Sequence, residues 1–199
     1  MDHKNQGRDS ALWHAFLQGD NKAYAQIYQL HAKAMYAYGI HFTTNSELVE
    51  DAIHDVFVKM YSNRAKLAFV ENIRLYLLIA LKNTLFNSYL KKVDTFQLDQ
   101  VESSLSSDLN VEDKMIENEQ SDRQKRLLSK LEQILSPRQK QAIYYRFVEQ
   151  MSYKEIALIM DINLQSVKNI VQTSIKKIRK AFPDIPASLI LIGCALLYR

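Results

Sequence analysis

The chain has 199 residues, 47% of them apolar, which is enough for one folded domain or two small ones. Its 4 glycines and 3 prolines are few, and this favours helices over sheets. The single cysteine, Cys194, excludes an internal disulfide and any metal site built on several cysteines. The first ten residues lack the apolar core of a signal peptide, and the longest apolar run, residues 187–198, is shorter than the about 20 residues of a spanning helix. These features predict a cytoplasmic protein.

Charge is unevenly distributed around a net value of +4. Residues 1–93 carry 11 basic and 8 acidic groups, and residues 121–182 carry 13 basic and 5 acidic groups. Between them, residues 94–120 carry 8 acidic groups and 1 basic group and are rich in serine. Two basic blocks around an acidic segment are typical of two nucleic-acid-binding domains on a flexible linker. The alternative is ordinary surface charge around a polar loop.

The first block predicts four helices. Apolar residues recur at helical spacing over 12–17, and Gly19-Asp20 then breaks the run and offers a cap for a second helix that extends to His41. Thr43-Thr44-Asn45 breaks the pattern again. A third helix follows, with apolar positions at steps of 3, 1, 3, 1 and 3: Val49, Ala52, Ile53, Val56, Phe57 and Met60. After a polar stretch over 62–72, a fourth helix carries a further apolar face: Ile73, Tyr76, Leu77, Ala80, Leu81, Thr84 and Leu85.

Capping residues divide the second block. Ser136-Pro137-Arg138-Gln139 fits a capping box that begins a helix ending at 149–151. Ser152-Tyr153-Lys154-Glu155 fits a second box and begins a short helix that extends to Met160. Asp161-Ile162-Asn163 makes a turn, and its last residue caps a long helix that is halted at Pro183.

The second block has the spacing of a helix-turn-helix. Ala157 is small where the two helices would cross, and Asp161 stands where the turn needs a left-handed residue. Val167 and Ile170 are expected to hold the second helix on the first. The second helix would expose side chains suited to base edges and phosphates: Gln165, Ser166, Lys168, Asn169, Gln172 and Thr173. Four more basic residues extend this positive strip: Lys176, Lys177, Arg179 and Lys180. The alternative is a helical hairpin in an unrelated bundle.

Short segments of both blocks resemble one protein family. LSPRQ at 135–139 and MSYKEIA at 151–157 look like region 4 of sigma-70 factors, which reads the −35 promoter element. VEDAIHDVFVKMY at 49–61 is similar to the region 2 helix that docks on the clamp of RNA polymerase, and YLLIALKN at 76–83 resembles the next helix, which lies against −10 DNA. The resembling segments follow the order region 2, linker and region 4, with no middle domain. This order is that of the extracytoplasmic-function subfamily.

The resemblance implies an all-α protein with two small helical domains. Residues 1–93 would form a region 2-like domain, 94–121 an acidic flexible linker, 122–182 a helix-turn-helix domain and 183–199 an apolar tail. The implied partners are core RNA polymerase, promoter DNA as duplex and melted strand, and an anti-sigma factor. No cofactor, metal, catalytic residue or small-molecule substrate is implied.

In region 2, the resemblance assigns residues to the −10 element and to the clamp. The loop at 62–72 would capture a base of the opened strand, and the fourth helix would face the neighbouring DNA. Together they would contact −10 DNA through Asn63, Arg64, Lys66, Phe69, Lys82, Asn83, Asn87 and Lys91. The third helix would meet the clamp through Asp51, His54, Asp55 and Lys59. Solvated helix surface is the alternative for each residue.

The chain departs from the family pattern at several positions. The family usually has Gln at His54, Arg at Lys82 and Ile170, and often an acidic residue at Asn87. The recognition helix of this chain is also less basic than is usual in the family, which predicts an unusual promoter preference or weaker phosphate contacts.

Other classes of function fit less well. A helix-turn-helix regulator that acts without polymerase would not need the clamp-like helix, and a protein-interaction adaptor would not need the basic second block. The glycines form no phosphate-binding loop, and the histidines fall at no metal-ligand spacing; His31 and His41 are expected to be partly buried helix residues. The apolar segment 187–198 is expected to pack back on the chain or to bind a regulator, or else to complete the region 4 core.

Overall fold

The computed structural model describes residues 3–92, 129–131 and 133–183. The chain divides into two compact units, residues 1–110 and 111–199. Within the described ranges the elements are helices and turns, with no strand. The predicted all-α, two-domain fold is therefore confirmed. The predictions for the linker at 94–121 and for the apolar segment at 187–198 lie outside the described residues.

In its described residues, 3–92, unit 1 is a cluster of four helices with one 3-10 turn at Arg64–Lys66. The helices are α1 His3–Leu17, α2 Asn21–Gly39, α3 Ser46–Ser62 and α4 Ile73–Lys92. α4 packs against both α2 and α3, and α1 packs against α2. The order of the four helices agrees with that predicted from the apolar periodicity, but α1 begins at His3, nine residues before the predicted run at 12–17.

Side-chain caps begin two of these helices. The Asp20 carboxylate accepts a hydrogen bond of 2.7 Å from the backbone N–H of Lys22, and the Asn45 side chain accepts one of 3.0 Å from that of Leu48. Each satisfies a donor that the first helical turn would leave unpaired. Because α2 ends at Gly39, His41 lies in the turn after it, so its predicted place in a helix is wrong. His31 does lie in α2, and both histidines are half-buried.

The core of unit 1 follows the predicted apolar faces and extends beyond them. All six apolar positions predicted for α3 are buried. α1 adds Trp13 and Phe16, both fully buried. α4 buries Leu78 as well as the predicted Leu77 and Leu81, because it lies between two other helices and its buried face is wider than one stripe.

Residues 129–131 and 133–134 of unit 2 are helical, and its described residues from 137 to 183 form three further helices and one π-helical turn. They are α5 Pro137–Ile143, the π turn Tyr144–Val148, α6 Tyr153–Met160 and α7 Leu164–Ala181. α7 packs against both α5 and α6. Both predicted capping boxes are confirmed: Ser136 with Gln139 begins α5, and Ser152 with Glu155 begins α6, with reciprocal hydrogen bonds of 2.7–3.4 Å.

The π turn was not predicted from the sequence. The helix that begins at Pro137 changes at Tyr144 from α-helical to π-helical hydrogen bonding, in which each turn contains one more residue. The side chains of the consecutive residues Tyr144 and Tyr145 are both buried there. The Tyr144 hydroxyl donates to the Glu149 carboxylate at 2.8 Å, and Gln150 then takes a positive φ of 56°. Two bulky inward side chains in sequence are thus accommodated just before the helix-turn-helix.

Candidate nucleic-acid interface

The turn between α6 and α7 has the geometry of a helix-turn-helix connection. Asp161 ends α6 in the left-handed conformation, with φ 51° and ψ 49°, as the sequence predicted. The Asn163 side chain accepts a hydrogen bond of 2.8 Å from the Ser166 backbone N–H and begins α7. Two polar residues therefore fix both ends of the turn and set the direction of the second helix.

One face of α7 is packed against the rest of unit 2. Val167, Val171 and Ile178 are buried on this face, together with Ser174, whose hydroxyl donates to the Ile170 carbonyl at 2.7 Å. Val167 and Ile170 were both expected to hold the second helix on the first. Val167 is buried, but Ile170 is only half-buried, so the expectation for Ile170 is not met. Val171, one full turn after Val167, occupies the buried position instead.

The opposite face of α7 carries the residues predicted to contact the −35 element. Five of them are exposed: Gln165, Lys168, Asn169, Gln172 and Thr173. Ser166 is half-buried, because it lies in the first turn beside the Asn163 cap. The Gln165 amide N–H donates to the Asn169 side-chain oxygen at 3.1 Å, so these two amides act as a pair. The sequence suggested the face but gave no sign of this pair.

The basic strip beyond these residues is shorter than the sequence suggested. Lys176, Arg179 and Lys180 are exposed and continue the face of Gln165 by helical spacing. The Lys177 ammonium instead donates to the Ile134 carbonyl at 3.2 Å and to the Gln139 side chain at 2.9 Å. Lys177 therefore fastens α7 to the beginning of α5, and its assignment to the strip is corrected.

In unit 1, the loop after α3 is attached to the helices at both ends. The Asn63 amide donates to the Lys59 carbonyl at 2.9 Å and closes α3. The Arg64 guanidinium lies 5.6 Å from the centre of the Tyr61 ring and against Gly19, whose φ of 100° turns the chain between α1 and α2. At the other end, the Asn72 side chain accepts from the Leu75 backbone N–H at 2.9 Å and begins α4. Arg64 thus supports the loop.

Between these attachments the loop presents an aromatic side chain to solvent. Phe69 is 52% exposed, and Lys66 is exposed one short turn before it. The carbonyl of the adjacent Ala68 accepts a hydrogen bond of 3.0 Å from the indole N–H of Trp13 in α1. An exposed phenyl ring, with an exposed lysine three residues before it in the chain, provides a surface on which a base can stack.

The other predicted −10 residues lie on α4. Asn83 and Asn87 are exposed and one turn apart on the same face, whereas Lys82 is half-buried. Lys91 belongs to the last turn of α4, and the prediction for its side chain falls outside the described residues.

The four residues predicted to meet the clamp share one exposed face of α3: Asp51, His54, Asp55 and Lys59. Val58 lies among them and is 45% exposed, and Tyr61 borders them with the same exposure. Sequence reasoning missed both, because it selected only the charged and polar side chains. The signal was present, since Val58 falls outside the helical repeat of the buried residues.

The perturbed titrating groups lie away from these faces. Burial lowers the pKa of His41 to about 4, and burial also lowers that of His31. Burial raises the pKa of Tyr24 and of Tyr76. In the part of the chain that the structure describes, no cluster of three or more side chains could hold a metal ion. None of the described helices is both long and apolar enough to span a membrane.

Comparison with known proteins points to one family. Residues 125–178 match the family model described as Sigma-70, region 4. A comparison with curated proteins gives no significant match. Among solved structures, the chain is similar to the sigma factor RpoE of Bartonella quintana, in a co-crystal structure with the anti-sigma factor NepR. The two share 20% sequence identity with a TM-score of 0.53, over 83% of this chain and 99% of the other.

The helix-turn-helix of unit 2 thus matches sigma-70 region 4, and the fold of the chain is similar to that of a solved sigma factor. The predicted resemblance of the second block to sigma-70 region 4 is therefore confirmed.

Proposed function

We propose that the chain binds core RNA polymerase and directs it to specific promoters, with unit 2 at the −35 element and unit 1 at the −10 element. The observation that carries the proposal is the exposed polar and basic face of α7, in a helix-turn-helix that matches sigma-70 region 4. The protein then acts in the cytoplasm, as an accessory subunit of polymerase and without catalysis of its own.

At the −35 element, the beginning of α7 enters the major groove. Gln165 and Asn169 offer amides that suit adenine, and Lys168 beside them suits guanine or a phosphate. The end of a recognition helix leaves the groove, so Lys176, Arg179 and Lys180 face the phosphate backbone. Base reading and charge attraction are therefore separated along one helix.

At the −10 element, the loop after α3 captures a base from the opened strand. Extruding a base costs a few kcal/mol, and stacking on an aromatic ring returns about 1–3 kcal/mol. Phe69 is the exposed ring of this loop, with Lys66 and Asn63 nearby in sequence for the phosphate and the base edge. Asn83 and Asn87 face the neighbouring DNA from α4.

The α3 face holds the protein on the polymerase clamp. Its carboxylates, Asp51 and Asp55, supply charge, and Val58 supplies an apolar contact between them. An apolar centre with a charged rim is the usual composition of a protein–protein interface. An anti-sigma factor is proposed as a further partner, supported by the likeness to a sigma factor solved with one.

Transcription in vitro tests the proposal. The purified chain, mixed with bacterial core polymerase and a library of promoter fragments, is expected to yield transcripts from a limited set of them. Lys168→Ala is expected to weaken duplex −35 binding while leaving core binding intact, and Asp55→Lys to do the reverse. A chain that binds duplex DNA but neither binds core nor yields transcripts is a regulator that acts without polymerase, and the proposal is then wrong.

A further inference from the structure

We infer that Trp13 is a positioning residue for base capture: its indole N–H fixes the backbone beside Phe69 and so sets where the exposed ring stands. The inference rests on the proposed function of the loop. It gives α1, to which no DNA contact is assigned, a part in promoter opening.

The first step is the contact itself. Trp13 is fully buried, and its indole N–H donates to the Ala68 carbonyl at 3.0 Å, across 55 residues of chain. The N–H of a buried indole needs an acceptor, because leaving it unpaired costs free energy. The loop backbone supplies that acceptor, so the position of Ala68 and the burial of Trp13 depend on each other.

The second step is the rigidity of the donor. The Trp13 ring is held edge-on by Tyr76, with ring centres 5.1 Å apart, and by Phe16 at 5.3 Å. Tyr76 belongs to the first turn of α4. The indole is therefore fixed between α1 and α4, and its hydrogen bond transmits that fixed position to the loop.

The third step is the position of the contact within the loop. Arg64 holds the beginning of the loop and Asn72 its end, whereas Trp13 reaches the middle, one residue before Phe69. Phe69 itself is 52% exposed, so roughly half of its side-chain surface is not covered by protein. A stacking ring on an unanchored backbone would lose conformational freedom when it binds a base, and a ring on an anchored backbone loses less.

The test replaces only the donor. Trp13 is the one tryptophan of the chain. 3-Benzothienylalanine at position 13 keeps the ring shape but has sulfur in place of the N–H; Trp13→Phe also removes the donor, but it leaves a smaller ring. In holoenzyme, both changes are expected to slow promoter opening by roughly 3- to 10-fold, the factor that corresponds to one lost hydrogen bond. Opening is followed by permanganate reactivity of the melted thymines.

Base discrimination is a measurement that a general loss of stability would not change. The rate ratio between the preferred and a substituted base at the captured −10 position is expected to shrink in both Trp13 variants, while core affinity and −35 duplex binding stay unchanged. Met35→Ala, which removes a buried side chain near the far end of α2, about 21 Å along the helix from its beginning beside the loop, is the control. It is expected to lower thermal stability and to keep the ratio.

The outcomes separate the two proposals. If wild-type holoenzyme opens promoters but the benzothienyl variant discriminates bases as well as wild type does, Trp13 does not position the loop. The same conclusion follows if Met35→Ala loses the ratio equally. If wild type neither binds core nor opens any promoter, the proposed function itself is wrong. Should Trp13→Phe fail to fold, the shape-preserving analogue still decides.

Discussion

At the residue scale, the proposed function predicts a definite base preference for single side chains on α7. The hydrogen bond from Gln165 uses one lone pair of the Asn169 oxygen and leaves the second lone pair and both N–H donors of Asn169 free. An acceptor beside a donor matches the N6 amino group and N7 of adenine, and does not match the two acceptors of guanine. Asn169 is therefore predicted to read an adenine in the −35 element, with Gln165 holding its amide in place.

Asn169→Ala is expected to weaken binding of unit 2 to its preferred duplex by about 1–3 kcal/mol, because one bidentate base contact is lost. The contacted base is located with duplexes that carry 7-deazaadenine at one −35 position at a time. At the contacted position the wild type should lose affinity, whereas Asn169→Ala should not. An equal loss on every duplex would mean that Asn169 contacts only the backbone.

A second residue-scale property is the response of unit 1 to acid. Burial lowers the pKa of His41 to about 4 from the ordinary value of 6.5, and it lowers that of His31 as well. Between about pH 4 and pH 6.5, these histidines therefore bind protons more readily in the unfolded chain than in the folded one. The free energy of unfolding is expected to be constant above about pH 6.5 and to fall by roughly 1–3 kcal/mol towards pH 4.

Urea denaturation between pH 7.5 and pH 4.5 measures this dependence. His41→Gln, which stays neutral, is expected to flatten the curve, whereas His14→Gln is the control because His14 is exposed on α1. Equal curves for the wild type and His41→Gln would contradict the prediction.

At the scale of elements, the sequence revealed the helix starts better than the helix interiors. The caps at Ser136, Ser152 and Asn163 were predictable because each depends on residues within one turn. The π turn at 144–148 was not, because it arises from how two adjacent tyrosines are buried, and that depends on the rest of unit 2. Lys177 likewise resembled a free surface cation until its long-range acceptors were visible.

The turn between α6 and α7 yields a prediction of its own. Asp161 has a positive φ, which costs a residue with a side chain about 1–2 kcal/mol, and glycine avoids most of this cost. Asp161→Gly is expected to raise the free energy of unfolding of unit 2 by about 0.5–1 kcal/mol, since the greater freedom of glycine in the unfolded chain offsets part of the gain.

Gln150→Gly is the matched test, because Gln150 has a φ of 56° and lies at the other end of α6. Asp161→Ala should destabilise instead, since alanine tolerates the left-handed region less well than aspartate. Thermal denaturation of the three variants decides. A lower melting temperature for Asp161→Gly would show that the Asp161 side chain contributes more than its backbone costs.

For the whole molecule, the pattern of charge and the order of the motifs were enough to predict two helical domains. The exposed polar face of α7 followed from helical spacing alone. Val58 was missed on the exposed face of α3 because only charged and polar side chains were selected there, although it falls outside the repeat of the buried residues. The sequence could not show that Trp13 reaches the loop, because 55 residues separate the two groups.

The position of the one tryptophan also allows the unfolding of the two units to be followed by different spectroscopic signals. Trp13 lies in the core of unit 1, and the sequence of unit 2 contains no tryptophan. Tryptophan emission therefore follows the unfolding of unit 1, while far-ultraviolet circular dichroism sums the helices of both units. Each unit has its own core, so the two signals are expected to give separate transitions, and a single melting temperature would not describe the chain. A ligand that binds only one unit would then identify its target by which transition it moves.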